Sequence, residues 1–321
     1  MKHHPIEIQP PDITPFRHAN TGVDYVHFFE SRRPGPQVML QALTHGNEFC
    51  GAIALVELLR AGLRPVRGSL TIAFANVAAF ARFDFDDPDR SRYVDEDYNR
   101  VWGDDVLFGA RDSLELRRAR ELVPFVDRAD FLLDLHSMHE PCRPIMVCGR
   151  IEKGVEFARA IGVPGDLLVD TGHPAGLRLI DRGGFGDPGS PRRAALIECG
   201  QHWERGAAQV AVDTVLRFLR VTGGFDETWV ESRLRRQPPA QQRVVRVTEP
   251  IVAKTMQFRF AAEWRGLEVV PSAGTPIAFD QDTVWRAPYD NTVLVMPSLA
   301  HLKPGTTMVR LGRYDIAAAP R

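Results

Sequence analysis

The sequence has no long apolar run and only four cysteines. These two features argue against a membrane-spanning protein and against a disulfide-stabilised one. No stretch approaches the roughly 18 consecutive apolar residues of a membrane-spanning helix. Residues 1–15 are polar and proline-rich, without the apolar centre of a signal peptide. The four cysteines form no CxxC pair and no regular framework, which favours free thiols in a reducing compartment. We therefore expect a cytoplasmic protein without a membrane anchor.

Positive and negative charges nearly balance, which argues against nucleic acid and anionic membranes as partners. The 321 residues include 40 Lys and Arg against 41 Asp and Glu, which gives a formal net charge of −1. A chain so close to neutral offers no global attraction for nucleic acid or for an anionic membrane surface. We therefore expect no nucleic-acid partner and no membrane partner, and a homo-oligomer stays open.

Apolar strands and amphipathic helices alternate along the first two thirds of the chain. Predicted strands cover residues 38–43, 70–75, 131–136 and 194–198, and predicted helices cover 49–63, 113–127, 152–161 and 206–221. This order predicts an α/β fold in which helices cover both faces of a mainly parallel or mixed sheet. Catalytic groups in such sheets gather at the carboxyl ends of the strands.

The pattern changes after about residue 230, where a charged, proline-bearing stretch precedes short β-rich segments. These segments cover 244–247, 255–260, 284–287, 293–296 and 307–311, with glycines and prolines between them. We predict a catalytic domain over residues 1–230 and a small all-β domain over residues 231–321. The spacing is similar to that of biotinyl and lipoyl carriers, but no lysine lies near the predicted hairpin tip at Asp290-Asn291. A structural or site-covering role is therefore favoured.

His45 and Glu48 follow the first predicted strand, at a strand-to-helix turn. An imidazole and a carboxylate three residues apart can converge on one metal ion, and zinc accepts both ligand types. His136 ends another predicted strand and offers a third ligand, which would leave one coordination position for water. Two alternatives stay open. These residues could be ordinary polar ends of strands, or His139 could replace His136 as a ligand.

Residues 82–105 form a long, irregular loop rich in charges and aromatics, and loops of that length in a compact domain are usually functional or disordered. The aromatics disfavour disorder. Asn99 and Arg100 offer an amide and a guanidinium that suit a carboxylate, and Arg92 could face a carbonyl that becomes an oxyanion. The alternative is that both arginines form salt bridges with the acidic residues 95–97.

Four motifs together resemble the succinylglutamate desuccinylase/aspartoacylase family, which belongs to the zinc carboxypeptidase superfamily. They are His45-Gly46-Asn47-Glu48, the block Arg92 to Arg100 with Asp97-Tyr98-Asn99-Arg100 at its end, Asp134-Leu135-His136, and Leu196-Ile197-Glu198-Cys199-Gly200. Their order matches that of the family, and the resemblance covers roughly residues 35–220. It implies a zinc-carboxypeptidase-like mixed sheet flanked by helices, and the β-rich tail agrees in type.

The resemblance also implies roles for individual residues. His45, Glu48 and His136 would hold one zinc ion per chain. Glu198 would act as general base and acid, and Arg92 would polarise the scissile carbonyl. A substrate carboxylate would be held by Asn99 and Arg100.

Two further features of the family do not settle on one residue in this sequence. Family members use an arginine shortly before the catalytic glutamate, and here Arg178 and Arg182 both qualify. They also often use a tyrosine from the C-terminal region, for which Tyr289 is a loose candidate. The implied activity is the zinc-dependent hydrolysis of a small N-acyl amino acid. A peptide-cleaving zinc carboxypeptidase and a non-catalytic binding module are the alternatives.

Weaker expectations attach to a few other residues. Asp134 could hydrogen-bond a ligating imidazole, as such ligands usually require, or could be wholly structural. His202 is close enough to Glu198 in sequence to line the same pocket. Cys199 is predicted to pack in the core, and His3-His4 to be a mobile terminal pair.

Overall fold

A long mixed β-sheet with helices on both faces organises the protein, whose computed structural model describes residues 4–315. The strands are β1 (Val26–Glu30), β2 (Gln37–Ala42), β3 (Ser69–Phe74), β4 (Phe131–Met138), β5 (Ile145–Val147), β6 (Asp166–Val169), β7 (Arg193–Gln201), β8 (Arg243–Val252), β9 (Arg259–Phe260), β10 (Glu268–Val270), β11 (Pro276–Asp280), β12 (Thr283–Arg286), β13 (Thr292–Val295) and β14 (Thr307–Tyr314). The helices are α1 (Cys50–Arg60), α2 (Val77–Phe80), α3 (Asp104–Leu107), α4 (Leu114–Val126), α5 (Glu152–Ile161), α6 (Arg205–Thr222) and α7 (Glu227–Glu231).

The large sheet has the strand order β1-β3-β2-β4-β7-β5-β6-β8-β14-β13-β10. Strands β3, β2, β4 and β7 lie side by side and run parallel. Strand β5 runs antiparallel to β7, and β1 runs antiparallel to β3. The predicted α/β fold with a mixed sheet is therefore confirmed, and the four adjacent parallel strands end at the same edge.

Side chains of the central strands alternate between two hydrophobic cores because successive residues of a strand point to opposite faces. In β2, Val38, Leu40 and Ala42 pack with residues of α1, α5 and α6 on one face. Met39 packs on the other face, with residues of α4. The strand is thus covered on both sides, which explains why it is apolar almost throughout.

The predicted helices are confirmed with small shifts at their ends. The helix predicted over 113–127 is α4, and Ser113 caps it because its Oγ accepts a hydrogen bond from Leu116 N at 3.0 Å. The helix predicted over 206–221 is α6, which ends at Gly223 with a left-handed φ of 67°.

Within residues 4–315, no helix combines the length and apolar character needed to cross a membrane. All four cysteines are free thiols.

The β-rich C-terminal region both extends the large sheet and forms a small sheet of its own. Strands β8, β14, β13 and β10 continue the large sheet beyond β6, and β12, β11 and β9 form the second sheet. A third hydrophobic core, which includes Ile251, Ile277 and Leu294, lies under this region. The division into domains at residue 230 stays a prediction.

Candidate active site

Three neighbouring parallel strands bring the predicted site residues to one edge of the sheet. His45 and Glu48 follow the end of β2, whereas His136 lies in β4 and Glu198 in β7. His136 is paired with Glu198 in the register of the two strands. Both side chains leave the sheet on the face opposite to that of Ile197, since the register is parallel and side chains alternate. The convergence expected from the sequence is therefore present.

The three proposed metal ligands meet around the carboxylate of Glu48. Its Oε1 lies 2.7 Å from His45 Nδ1, and its Oε2 lies 2.9 Å from His136 Nδ1. One ligand atom from each residue lies within 4.8 Å of the others, and all three side chains are buried. Two imidazoles and one carboxylate are a usual donor set of a catalytic zinc site. The residues present therefore fit the metal that the family resemblance implies.

Carboxylates on the far side of each ring fix which nitrogen faces Glu48. Asp134 Oδ2 lies 2.8 Å from His136 Nε2, and Asp97 Oδ1 lies 3.0 Å from His45 Nε2. Each ring could donate from Nε2 to its carboxylate, which would leave Nδ1 able to bind a metal ion beside Glu48, as ligating histidines are usually held. Arg92 Nη2 also lies 3.1 Å from His45 Nε2. Thr44 Oγ1 in turn donates to Asp134 Oδ1 at 2.8 Å. Asp134 therefore makes the contact with His136 that its expected supporting role requires.

The charges around Glu48 favour its ionised form. Burial alone would raise the pKa of this carboxyl, but the neighbouring His45 and His136 outweigh burial and hold the pKa well below its usual range. For Glu198, burial outweighs the neighbouring His136 and Arg92 and raises the pKa to about 8. Two buried carboxyl groups of one cavity thus differ in proton affinity, a division typical of sites that move protons.

Glu198 also has an unused acceptor. Its Oε2 is buried and has no hydrogen-bond partner among residues 4–315. An orphaned carboxylate oxygen is costly in a folded protein and calls for an explanation, such as a ligand, an ion or a water molecule at that place. Glu198 lines the same cavity as His45, Glu48 and His136. A proton acceptor in this position faces any molecule that occupies the cavity.

Gly46 allows the turn of residues 45–48 to contact the loop of residues 82–105, which carries Arg92. A Cβ on Gly46 would collide with the backbone of Ser91 and Phe80. The Gly46 N–H donates to the carbonyl oxygen of Arg92 at 3.1 Å. Glycine at this position therefore lets the loop lie against the metal-ligand turn and brings Arg92 to the site.

Arg92 and Arg100 line the cavity and share one acidic neighbour, Asp97. Arg92 Nη2 lies 3.3 Å from Asp97 Oδ2, and its Nη1 lies 3.2 Å from Glu48 Oε1. Arg100 Nη2 is farther from Asp97 Oδ2, at 3.9 Å, and its Nη1 donates to the backbone oxygen of Asn99 at 2.7 Å. Burial lowers the pKa of Arg100 to about 10. The salt bridges considered for this loop thus involve Asp97, but Arg100 is only loosely paired.

Asn99 lines the same cavity. It also anchors a segment distant in sequence, because its Oδ1 accepts a hydrogen bond from Leu179 N at 3.0 Å.

Arg178 lines the cavity as well, but its guanidinium is already bound by two carboxylates. It binds both oxygens of Asp170, at 2.7 and 2.9 Å, and its Nε donates to Asp181 at 2.8 Å. Its contacts are those of a buried structural arginine.

The structure does not bring Arg182 or Tyr289 to the cavity. Arg182 forms ion pairs with Asp104, at 2.7 Å, and with Asp127, at 2.9 Å. The Tyr289 hydroxyl lies 2.6 Å from Thr248 Oγ1, and the guanidinium of Arg313 stacks over its ring. Both residues are held by neighbours outside the site.

The C-terminal region contributes residues to the cavity that the sequence did not single out. Met296, Ser298 and His301 follow β13 and line the cavity, and Arg310 reaches it from β14. Within residues 4–315, the Arg310 guanidinium makes no hydrogen bond and no ion pair. Burial lowers its pKa. The only sequence signal for these residues was the expectation that the β-rich tail covers the site.

The weaker expectations have mixed outcomes. His202 lines the cavity, as predicted, and its Nδ1 lies 2.9 Å from Ser137 Oγ. Burial lowers the pKa of this ring to about 3, so it is neutral. Cys199 packs in the core. His4 is in contact with Glu140, at 3.2 Å, which does not fit the expected mobile pair, and His3 lies outside the described residues.

Comparisons with known proteins find one matching family. Residues 34–183 match the model of the succinylglutamate desuccinylase/aspartoacylase catalytic domain. That segment includes the three proposed metal ligands and the arginine-bearing loop, and it ends before Glu198. No protein of curated function matches the sequence significantly.

Several solved structures share the fold at low sequence identity. A succinylglutamate desuccinylase from Vibrio parahaemolyticus is 17% identical with a TM-score of 0.66, over 91% of this chain and 86% of the other. The product-bound ectoine utilization protein EutE from Ruegeria pomeroyi is 15% identical with a TM-score of 0.64, over 90% and 87%. Murine aminoacylase 3 is 20% identical with a TM-score of 0.60, over 89% and 97%.

Proposed function

The chain contains a catalytic domain of the succinylglutamate desuccinylase/aspartoacylase family, and on that premise we propose that it is a zinc-dependent hydrolase that cleaves the amide bond of a small N-acyl amino acid. The observation that carries the proposal is the meeting of His45 and His136 on Glu48, beside a Glu198 with an unpartnered oxygen. A binding module that had lost its chemistry would have no use for that combination.

The metal would be held by His45, Glu48 and His136. A bound zinc ion supplies Lewis acidity, which lowers the pKa of a water molecule towards about 7 and polarises a carbonyl oxygen. Asp134 and Asp97 would keep the two rings oriented for binding.

Glu198 would move the protons of the reaction. Water adds to the amide carbonyl carbon, Glu198 accepts the proton that the water loses, and the same carboxyl then gives it to the leaving nitrogen as the C–N bond breaks. A raised pKa suits a group that must both accept and donate near neutrality. Such general acid–base catalysis typically contributes about 10²–10⁴-fold to the rate.

Arg92 would stabilise the negative charge that develops on the carbonyl oxygen. Its guanidinium lies beside Glu48 and Asp97 and faces the cavity, so it needs no large movement to meet the substrate. A preorganised donor of this kind is more effective than a mobile one because it need not reorganise during the reaction.

Arg100 and Arg310 would bind carboxylates of the substrate. Arg100 has only a distant carboxylate neighbour, and Arg310 has no ion-pair partner within residues 4–315. Two under-neutralised guanidinium groups in a partly buried cavity favour an anionic ligand, since charges in such places are normally paired. For the acyl side we therefore favour Arg310 over Arg178, whose guanidinium is already bound by Asp170 and Asp181.

A peptide-cleaving carboxypeptidase is the second candidate. It would need room for a chain on the acyl side of the scissile bond. Residues of the segment 296–301 and Arg310 line the cavity from the C-terminal region and would limit the room for a longer substrate.

The test is a hydrolysis screen of the zinc-loaded protein with N-acetyl, N-succinyl and longer N-acyl amino acids, with dipeptides as the competing class. We expect amine release from one of the N-acyl amino acids and little from dipeptides. Faster cleavage of dipeptides would favour the carboxypeptidase, and no cleavage of either class would favour a binding module.

A further inference from the structure

We propose that His4, His139 and Glu140 form a second metal site, for zinc or a chemically similar divalent transition metal, at the edge of the active-site cavity. His139 and Glu140 line that cavity, and His4 reaches them from the N-terminal segment. The site does not depend on the proposed reaction, because its ligands are distinct from the three around Glu48.

The geometry of this cluster repeats that of the first site. Glu140 lies between two imidazoles, with Oε2 at 3.2 Å from His4 Nε2 and Oε1 at 3.2 Å from His139 Nδ1. One ligand atom of each residue lies within 4.8 Å of the others. The two rings meet edge to face with centroids 5.4 Å apart and planes at 78°. In the first site, His45 and His136 are 5.2 Å apart at 71°.

A supporting carboxylate is repeated as well. Asp89 Oδ2 lies 2.9 Å from His139 Nε2, just as Asp134 Oδ2 lies 2.8 Å from His136 Nε2. A carboxylate behind the ring orients it, which would leave the Nδ1 of His139 able to bind a metal ion beside Glu140. Asp89 is itself held by Asn47, whose amide donates to Oδ1 at 3.3 Å.

The competing explanation is a proton in place of the metal. Burial would lower the pKa of His139, but hydrogen bonds with Asp89 and Glu140 raise it to about 9, so a protonated ring could link the two carboxylates. That explanation gives no role to His4, which lies against the opposite oxygen of Glu140. Metal binding and protonation therefore differ in whether His4 matters.

The side chains of the second cluster are more exposed to solvent than those around Glu48. The side chains of His4, His139 and Glu140 are 12%, 12% and 29% exposed, against 4%, 2% and 2% for His45, His136 and Glu48. The second metal should therefore bind more weakly and exchange readily. Two imidazoles and one carboxylate favour zinc, cobalt, nickel or copper over magnesium or calcium, which prefer oxygen ligands.

A metal at this place would attach the N-terminal segment to the end of β4. That segment already lies against the region after β7. Glu7 N donates to Trp203 O at 3.0 Å, and Glu7 Oε2 accepts from Arg205 N at 3.2 Å. The hydrogen bonds of Glu7 thus place His4 near its partners before any metal binds, which reduces the entropy lost on binding.

Zinc binding by the full chain, measured by equilibrium dialysis with metal analysis, tests the proposal. We expect two equivalents at saturation. His4→Ala should lose only the weaker one, and His45→Ala only the tighter one. His18→Ala is the matched control, because this N-terminal histidine is exposed and lies outside the cluster, so it should keep both. A wild-type protein that saturates at one equivalent, or a His4→Ala protein that binds like the wild type, overturns the proposal.

Asp89→Asn provides a second test that removes no ligand. If Asp89 orients His139 for a metal, its loss should weaken the second equivalent about 10–100-fold and leave the first unchanged. Unchanged affinity in this variant would mean that any second zinc lies elsewhere. Failure of the His45 site would appear in the other equivalent, so the two proposals fail independently.

Discussion

His136 and Glu198 are direct register partners on the parallel strands β4 and β7. The proposed metal ligand and the proposed base therefore project from the same face of the sheet at the same level, and neither relies on a loop for its position. Sites built on strands hold their geometry more closely than sites on loops. Chemistry at this pair should consequently be sensitive to the identity of the side chains and tolerant of changes in the surrounding loops.

The first prediction separates proton transfer from metal binding. Glu198→Gln should keep its fold and its zinc but lose about 10²–10⁴-fold in kcat, because an amide cannot accept and return a proton. Glu204→Gln is the matched control, since Glu204 accepts a backbone hydrogen bond from Gln201 at 3.1 Å and should be dispensable for turnover. Near-normal kcat in Glu198→Gln would mean that another group, such as Glu140, is the base.

The second prediction concerns the metal around Glu48. After dialysis against metal-free buffer, the wild-type protein should retain close to one zinc per chain, and His45→Ala or Glu48→Ala should retain almost none. Asp134→Asn should bind the same amount with an affinity about 10–100-fold lower, because the His136 ring loses its supporting carboxylate. Full zinc retention by the His45→Ala protein would show that the metal is held by other residues.

Much of this site could be predicted from the sequence because its parts are local. His45 and Glu48 lie three residues apart in one strand-to-helix turn. His136 ends an apolar run that is long enough to be recognised as a strand. Parallel strands end at a common edge, so their terminal residues converge whatever the details of packing. Shorter strands offered no such signal. Strands β5 and β6, with three and four residues, were not predicted and lie between β7 and the C-terminal region.

The arginines show where sequence information stops. Arg178 and Arg182 both precede Glu198, and nothing in the sequence decides between them. The short helical turn Leu179–Asp181 sends the first towards the cavity and the second towards Asp104 and Asp127. Arg310 could not be found at all, because the pairing of β14 with β8 and β13 brings it to the cavity from far along the chain.

The third prediction tests the structural role of Arg178. Arg178 binds both oxygens of Asp170 and one oxygen of Asp181, so Arg178→Ala leaves two buried carboxylates without this partner. Breaking a buried ion pair typically lowers the stability by about 3–5 kcal/mol. The free energy of unfolding, measured with urea, should fall by about this amount. If stability were unchanged while KM rose, Arg178 would be a substrate-binding residue.

The fourth prediction is the opposite pattern for Arg310. Its guanidinium makes no hydrogen bond or ion pair within the described chain, so Arg310→Ala should leave stability nearly unchanged. KM should rise about 10-fold or more for a substrate whose acyl group carries a carboxylate, since a charge-assisted hydrogen bond contributes about 1.5–3 kcal/mol. The same substrate without that carboxylate should show no difference between variant and wild type. Equal KM values for the carboxylate-bearing substrate would exclude this role.

The last prediction tests the α-carboxylate of the substrate. If Arg100 holds this group in both the ground and transition states, Arg100→Ala should raise KM by a factor that corresponds to about 1.5–3 kcal/mol. The decisive comparison changes the substrate as well. Blocking the α-carboxylate as an amide should impair the wild type strongly and the Arg100→Ala protein little, because the interaction is already absent in the variant.

Lys at this position is the control for charge alone. Arg100→Lys keeps a positive group but cannot form two parallel hydrogen bonds with a carboxylate, so its KM should lie between those of the wild type and the alanine variant. Equal losses from the blocked substrate in wild type and Arg100→Ala would show that Arg100 does not contact the carboxylate. Arg100 would then serve the loop through Asp97 and the backbone oxygen of Asn99, its nearest partners in the structure.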